Sequence, residues 1–303
     1  MFVFALSGYI LLAVVSVLDK FILSKTAVKP LLFTFYSTIF VLPVLALVPL
    51  GVRFLHGPGD WGVAVVSGVA FGLGALAIAY ATRESEVSHV QPLIGAITPL
   101  AVLFLARVFL GEILSDRQLW GIMILVIGSL VVSFEKSSLH SGWHKGLAWG
   151  VASAALFAVS HVTAKYIYDG YGFFSGFIWT RAAIGLVGLA LLLVPKLRRE
   201  LRGAFVGRTH TAGRGGGWGQ LLFVTGDKFL GAVAALVLQY AASLGSVSIV
   251  NALAGIQFVA LVVLVAVVSR FWPRWFKEEY ARRELAQEFV GVALIGAGLF
   301  FIL

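Results

Sequence analysis

Apolar residues fall along this chain in long runs broken by short polar connections, not with the alternation of a half-buried strand. A helix needs about 20 mostly apolar residues to cross a hydrocarbon core of roughly 30 Å. Ten runs approach that length: 2–20, 31–50, 61–80, 87–110, 117–134, 146–166, 173–194, 220–242, 247–268 and 287–303. The pattern predicts an all-α polytopic membrane protein with ten transmembrane helices. Nothing outside the runs is large enough to bury a core of its own, which leaves no room for a soluble catalytic module. The first run is long, lacks a basic leader and shows no clear small-x-small cleavage site, so it reads as a helix and not as a secretory signal.

One passage is written twice. YATRESEVSHVQPLIGAITP (80–99) returns as YAASLGSVSIVNALAGIQFV (240–259), with seven of twenty positions identical, among them Tyr80 with Tyr240, Ser88 with Ser248 and Gly95 with Gly255. The copies fall at runs three to four and eight to nine, so the repeating unit is five helices. GIMILVIGS (121–129) in the fifth run answers to GVALIGAGL (291–299) in the tenth, and Lys20 to Lys165. A unit with an odd number of spans enters the membrane from opposite sides in its two copies, so the repeat is inverted. Inverted repeats are the architecture of secondary transporters. The division expected is 1–140 for the first repeat and 141–303 for the second, with a basic connection at 195–219.

Composition agrees: 60% of residues are hydrophobic and 12% charged, against about 25% charged in a soluble domain. The net charge of +9 resembles that of a nucleic-acid binder until the charges are placed. Lys and Arg crowd the odd-numbered connections, with Lys20, Lys25 and Lys29 after the first run and six basic residues from Lys196 to Arg214 after the seventh. By the positive-inside rule the odd connections are cytoplasmic and both termini lie outside, and no nucleic-acid partner is needed to explain the charge. The RGGG stretch (214–217) reads as part of a solvated linker, and Arg270 to Glu288 as an interfacial helix. Cysteine is absent, which removes disulfide and thiol chemistry. His140 and His144 stand four apart across Gly142 without a third ligand, so no metal site and no cofactor is expected.

From Pro99 to Ser129 the chain reads PLAVLFLARVFLGEILSDRQLWGIMILVIGS. Its proline, Gly-Glu pair, glutamine and two later glycines (Pro99, Gly111, Glu112, Gln118, Gly121, Gly128) resemble the EamA branch of the drug/metabolite transporter superfamily. Arg181, in FIWTRAAIG, matches an arginine often seen early in that family's second helix. Its first-half counterpart is Ser37, and the second-half counterpart of Pro99 is Val259. The resemblance implies a ten-helix transporter that moves metabolites by alternating access through a central cavity.

Charge in a helix centre costs at least about 2.5–3.5 kcal/mol, so Arg181 faces the interior or water. It is either an anchor for a carboxylate or phosphate, by its fork of donors, or a helix-packing arginine. Gln91 and Asn251 occupy one repeat position, and an amide there lines a cavity or joins helices. His161, one turn from Lys165, is either a proton-linked group or a satisfied packing residue. Gln257, Thr98, Trp179 and Tyr36 complete the candidate substrate-binding set.

The leading expectation is a secondary transporter for a small organic metabolite, since no GxxxxGK[ST] motif supplies an ATP site. The alternatives are a lipid or lipid-linked-sugar flippase and a non-transporting sensor or scaffold. HExxH and GxSxG are both absent, so an enzyme is not expected. The partners expected are the lipid bilayer and a small-molecule substrate, with the chain a monomer or homodimer in the plasma (inner) membrane of a prokaryote.

Overall fold

The computed structural model describes residues 1–25, 30–84, 87–133, 145–210, 218–271 and 282–302, and helices are the regular structure found there. They are α1 (Phe2–Lys25), α2 (Pro30–Ile39), α3 (Pro58–Glu84), α4 (Val87–Phe109), α5 (Asp116–Ser133), α6 (Lys145–Tyr171) and α7 (Phe173–Leu191). After these come α8 (Pro195–His210), α9 (Trp218–Ser243), α10 (Val247–Ala252), α11 (Gly255–Phe271) and α12 (Arg282–Ile302). Four stretches are long and apolar enough to cross a membrane: Pro30–Leu50, Pro58–Ala81, Lys145–Tyr171 and Phe173–Leu191. Shorter apolar helices cover Phe2–Leu18, Leu93–Phe109, Val247–Leu261 and Phe289–Ile302.

Two runs differ from the single helices expected of them. The run 31–50 leaves α-helical geometry after Ile39 and continues as a 3₁₀ helix over Leu42–Leu50. Pro43 and Pro49 supply the reason, because each lacks the N–H of an i→i−4 bond and crowds the turn before it. Gly51, at φ +91°, ends the segment in the left-handed region. The run 247–268 breaks between α10 and α11, where Ala254 N–H bonds to Asn251 O (3.1 Å) and Ile256 N–H to Leu253 O (2.9 Å) in 3₁₀ fashion. Gly255 lets the break pack closely on α5: a Cβ there would stand 2.7 Å from Ser129 Oγ. The first copy of the repeated passage carries no such break, as α4 runs unbroken through Pro92 and Pro99.

The basic connection after α7 is helical through His210 where a flexible linker was expected. Leu197 is fully buried in a cluster with Leu31, Phe35, Val187 and Leu191, which docks α8 on α2. The RGGG stretch, His140, His144 and residues 272–281 of the expected interfacial helix lie outside the described residues.

Most of the helix pairings survive exchange of the two halves, although the close α3–α7 contact has no comparable α2–α9 contact among the described residues. α3 packs on α6 as α1 packs on α9, and α4 packs on α6 as α1 packs on α11. α2 meets α7, and α5 meets α12. The α5–α12 contact is nearly backbone to backbone. A Cβ on Gly298 would sit 2.9 Å from Leu125 N and 3.0 Å from Gly121 O, and one on Gly128 would sit 3.0 Å from Ile295 N. Such small-residue contacts let helices pack closely in lipid, where no hydrophobic force drives them together.

One end of the bundle gathers the connections after α4, α6 and α9, the Gly51–Gly57 segment and both chain ends. Arg53 N–H bonds to Ser175 Oγ (2.9 Å), His56 N–H to Tyr171 Oη (2.9 Å), and Arg117 Nη2 to Phe300 O (2.8 Å), while Met1 rests on Gly245. The family-like residues of the first half do structural work at this end. Gly111, at φ +64°, turns the chain out of α4 so that Glu112 N–H reaches Ala106 O (3.1 Å). The Glu112 carboxylate then accepts from Ser248 Oγ, joining this turn to the start of α10. Gln118 Oε1 accepts from Ser115 N–H (3.0 Å) while Ser115 Oγ accepts from Gln118 N–H (3.3 Å), a reciprocal capping box that starts α5.

Candidate functional site

The α3–α6–α7–α9 face of the bundle carries a buried polar cluster. α3 lies hard against α7, because a Cβ on Gly72 would sit 2.7 Å from Val187 Cγ2 and one on Gly68 would overlap the Ala183 backbone. The Gly68–Gly72 pair thus packs within the chain. Two hydroxyls lock α3 onto α6, from Ser67 Oγ to Ser160 O (2.9 Å) and from Ser153 Oγ to Gly74 O (2.9 Å). This register brings Phe71 of α3 to Arg181 of α7. The guanidinium carbon stands 5.1 Å from the Phe71 ring centre and 5.2 Å from that of Phe177, one turn earlier on α7.

Arg181 is 7% exposed, and its Nε has no hydrogen-bond partner. Among the described residues no carboxylate pairs with it. Two aromatic faces offer a cation partial compensation, up to about 2 kcal/mol each when desolvated, which is less than a buried ion pair supplies. Tyr168, two turns beyond His161 on α6, places its hydroxyl within reach of both Thr180 and Arg181. The Tyr168 hydroxyl donates to Gln239 Oε1 of α9 (3.1 Å), and Gln239 Nε2 faces His161 Nδ1 at 3.2 Å. His161 also stacks on Phe157, with ring centres 6.4 Å apart, and Arg181 is the charge that faces it.

Of the residues expected from sequence, Arg181 and His161 belong to this cluster. The others have partners elsewhere. Gln257 Nε2 donates to Ser16 Oγ (3.1 Å), joining α11 to α1. Trp179 Nε1 donates to Arg53 O (2.9 Å), and its ring lies tilted against Phe54 and edge-on to Trp61. Tyr36 packs with Phe35 and Phe40. Asn251 is buried beside the α10–α11 break and donates to Val247 O of its own helix (2.9 Å). Thr98 is buried with its hydroxyl unpartnered. The side chain of Gln91 lies outside the described residues. Lys165 bonds to Asp169 (2.8 Å) and reaches Ser243 O (3.4 Å), closing α6 onto the end of α9.

Gln239, Tyr168 and Phe71 were missed from sequence. Gln239 sits beside Tyr240 at the edge of the eighth run, where a polar residue passes for an end marker. Tyr168 fell beyond the expected end of the sixth run at 166, since Lys165 and Asp169 look like a terminus until their pairing is seen.

A separate recess of about 510 Å³ opens at the bundle end, between His56, Asp60, Phe109, Tyr166, Asp169 and Tyr171. Arg181 and His161 are not in its wall. Asp60 accepts there from the Tyr171 hydroxyl.

An all-helical chain of apolar spans around a buried cation is an integral membrane protein. Residues 1–134 match the sequence model of the EamA-like transporter family. A solved crystal structure of a protein superposes with a TM-score of 0.66 at 17% identity, over 98% of this chain and 93% of that one. At that identity the likeness is one of fold. Among curated proteins no match is found.

Proposed function

We propose that the chain is a secondary transporter for a small organic anion, built as two inverted five-helix repeats and working by alternating access. The observation that carries the reading is Arg181, a buried guanidinium with an unpaired Nε and no carboxylate partner among the described residues. Such a group is costly to leave uncompensated in a low-dielectric interior. An anionic substrate supplies the missing charge, and the fork geometry suits a carboxylate or phosphate. The partly exchange-symmetric pairing of helices supports the repeat, and the gathering of both chain ends with the even-numbered connections supports ten crossings. With Arg181 at 7% exposure the site is occluded here, so transport needs opening toward either side. On this reading Asn251, at a helix break, and its repeat counterpart Gln91 line opposite ends of the pathway. The membrane proposed is the plasma membrane of a prokaryote.

Thermal unfolding of the purified protein with carboxylates, phosphates, neutral sugars and organic cations tests this reading. Anions are expected to stabilise it, by about 2.7 kcal/mol at a hundredfold excess over Kd. Stabilisation by cations or sugars with none by anions removes Arg181 from the site. Orientation is tested separately with a single cysteine at position 208, in a chain that has no other cysteine. It is expected to resist impermeant thiol reagents in intact cells and to react once they are permeabilised; labelling in intact cells reverses the topology.

A further inference from the structure

We propose that a carboxylate seated on Arg181 draws one proton onto His161, with the Gln239 amide as the switch between the two events, so that anion and proton cross together. This rests on the reading of Arg181 as an anion anchor. A side-chain amide has one accepting end and one donating end, and Gln239 lies between Tyr168 and His161. With Oε1 on the tyrosine hydroxyl, Nε2 points at His161 Nδ1 and can only donate to it. Nδ1 must then be bare, and the imidazole is neutral with its hydrogen on Nε2.

Turning the amide over reverses each role. Oε1 now faces Nδ1, which must carry a hydrogen, either by tautomer exchange in the neutral ring or by protonation of a ring that keeps its Nε2–H, and the charge beside the ring decides between them. Nε2 of Gln239 then donates to the Tyr168 hydroxyl, which must aim its own hydrogen elsewhere. Arg181 and Thr180 both stand near that hydroxyl, so an anion held by Arg181 lies where it can accept the hydrogen bond the hydroxyl now offers. Both settings satisfy every member of the chain. A mixed setting opposes two donors or two acceptors in a buried site, and an unmade buried hydrogen bond costs about 1–3 kcal/mol.

Charge selects the same two settings. Without an anion, Arg181 repels a second positive charge nearby; with one, the local sum is zero and a proton can be accommodated. The groups around His161 leave this choice to Arg181. On α6, Lys165 is engaged by Asp169 and Ser243 O, and Tyr168 lies two turns away. From α7 the facing group is Arg181, and from α9 it is Gln239. No other charge on α3, α4 or α9 acts on His161 among the described residues, and α10 (VSIVNA) contains no ionisable side chain. The proton comes from water admitted with the anion. No covalent bond between heavy atoms changes, and one monoanion with one proton moves without net charge. The Phe71 and Phe177 faces favour a monocarboxylate with an apolar or aromatic body.

The test uses the purified chain in detergent with benzoate as the probe, titrated calorimetrically in buffers of different ionisation heat. About one proton should be taken up per benzoate bound, and Kd should rise about tenfold per pH unit where the linkage operates, since binding consumes a proton. His161→Asn keeps a polar group near the Nδ1 position but cannot ionise, so uptake should vanish and the pH slope flatten, whatever the affinity at one pH. Gln239→Leu should uncouple uptake from binding in the same way. Should either variant fail to fold, wild-type uptake and slope decide with the remaining one. Benzoate binding without proton uptake overturns the coupling and leaves the anion site standing, as does binding of phosphate alone. Uptake that persists in His161→Asn also overturns it. If neither benzoate nor phosphate binds, the anion-anchor reading falls and the coupling with it.

Discussion

Gly68→Leu is expected to produce the largest loss of stability of any single change in the α3–α7 contact. A Cβ at this position already overlaps the Ala183 carbonyl carbon and side chain and crowds Ile184 N. Those atoms belong to helix backbone and cannot rotate aside. Overpacking a tight core costs about 1–3 kcal/mol where side chains can adjust, and more where backbone must move. The expected outcome is a collapse in folded yield on size-exclusion chromatography and a lower midpoint in thermal unfolding. Gly62→Ala is the matched control. Nothing lies within 4 Å of a Cβ there, and alanine raises helix propensity by up to about 1 kcal/mol. Equal yields from the two variants would show that α3 and α7 do not approach as closely as described.

Arg181→Ala is expected to have the largest effect on ligand binding. Hydrogen bonds to a charged group contribute about 1.5–3 kcal/mol, so anion affinity should fall roughly ten- to hundredfold or further. Anion-induced stabilisation should vanish with it. The apo protein should keep its folded yield, because truncation leaves behind no unpaired buried charge. Arg181→Lys separates charge from shape: a lysine restores attraction but not the planar fork or its contact with two rings, and recovery should be partial. A variant that folds and binds anions with undiminished strength would assign Arg181 to helix packing alone.

The helices were legible because lipid imposes a simple length rule, and the places where the rule failed have local causes. Pro43 and Pro49 turned half of one apolar run into a 3₁₀ segment, although the run is as hydrophobic as its neighbours. α8 escaped notice because its basic residues mask Leu197 and Leu201, whose partners on α2 are remote in sequence. In the site, Arg181 was visible from its cost in lipid, and His161 from its chemistry. Their connection was not, because Gln239 meets His161 and Tyr168 across 78 and 71 residues of chain. The symmetric pair Gln91 and Asn251 drew attention through the repeat, yet the buried cluster is built from α3, α6, α7 and α9, and its Gln239 and Arg181 have Ala79 and Ser37 as their counterparts in the first copy. Repetition points to the scaffold, while departure from it points to the site.

On the alternating-access reading, the break between α10 and α11 also bears on direction. Two halves of equal stiffness would let the empty carrier face either side with equal ease. Here one half bends at Leu253–Ala254 and the other has an unbroken rod at the matching place, so on the alternating-access reading the two outward swings meet unequal resistance. Each 1.4 kcal/mol of that difference skews the resting populations tenfold. On that reading the empty protein favours one side of the membrane, and a substrate arriving from the other side binds more weakly by the same ratio. If the chain works by alternating access, the asymmetry of a single turn makes it a rectifier of affinity, with uptake and release saturating at different concentrations.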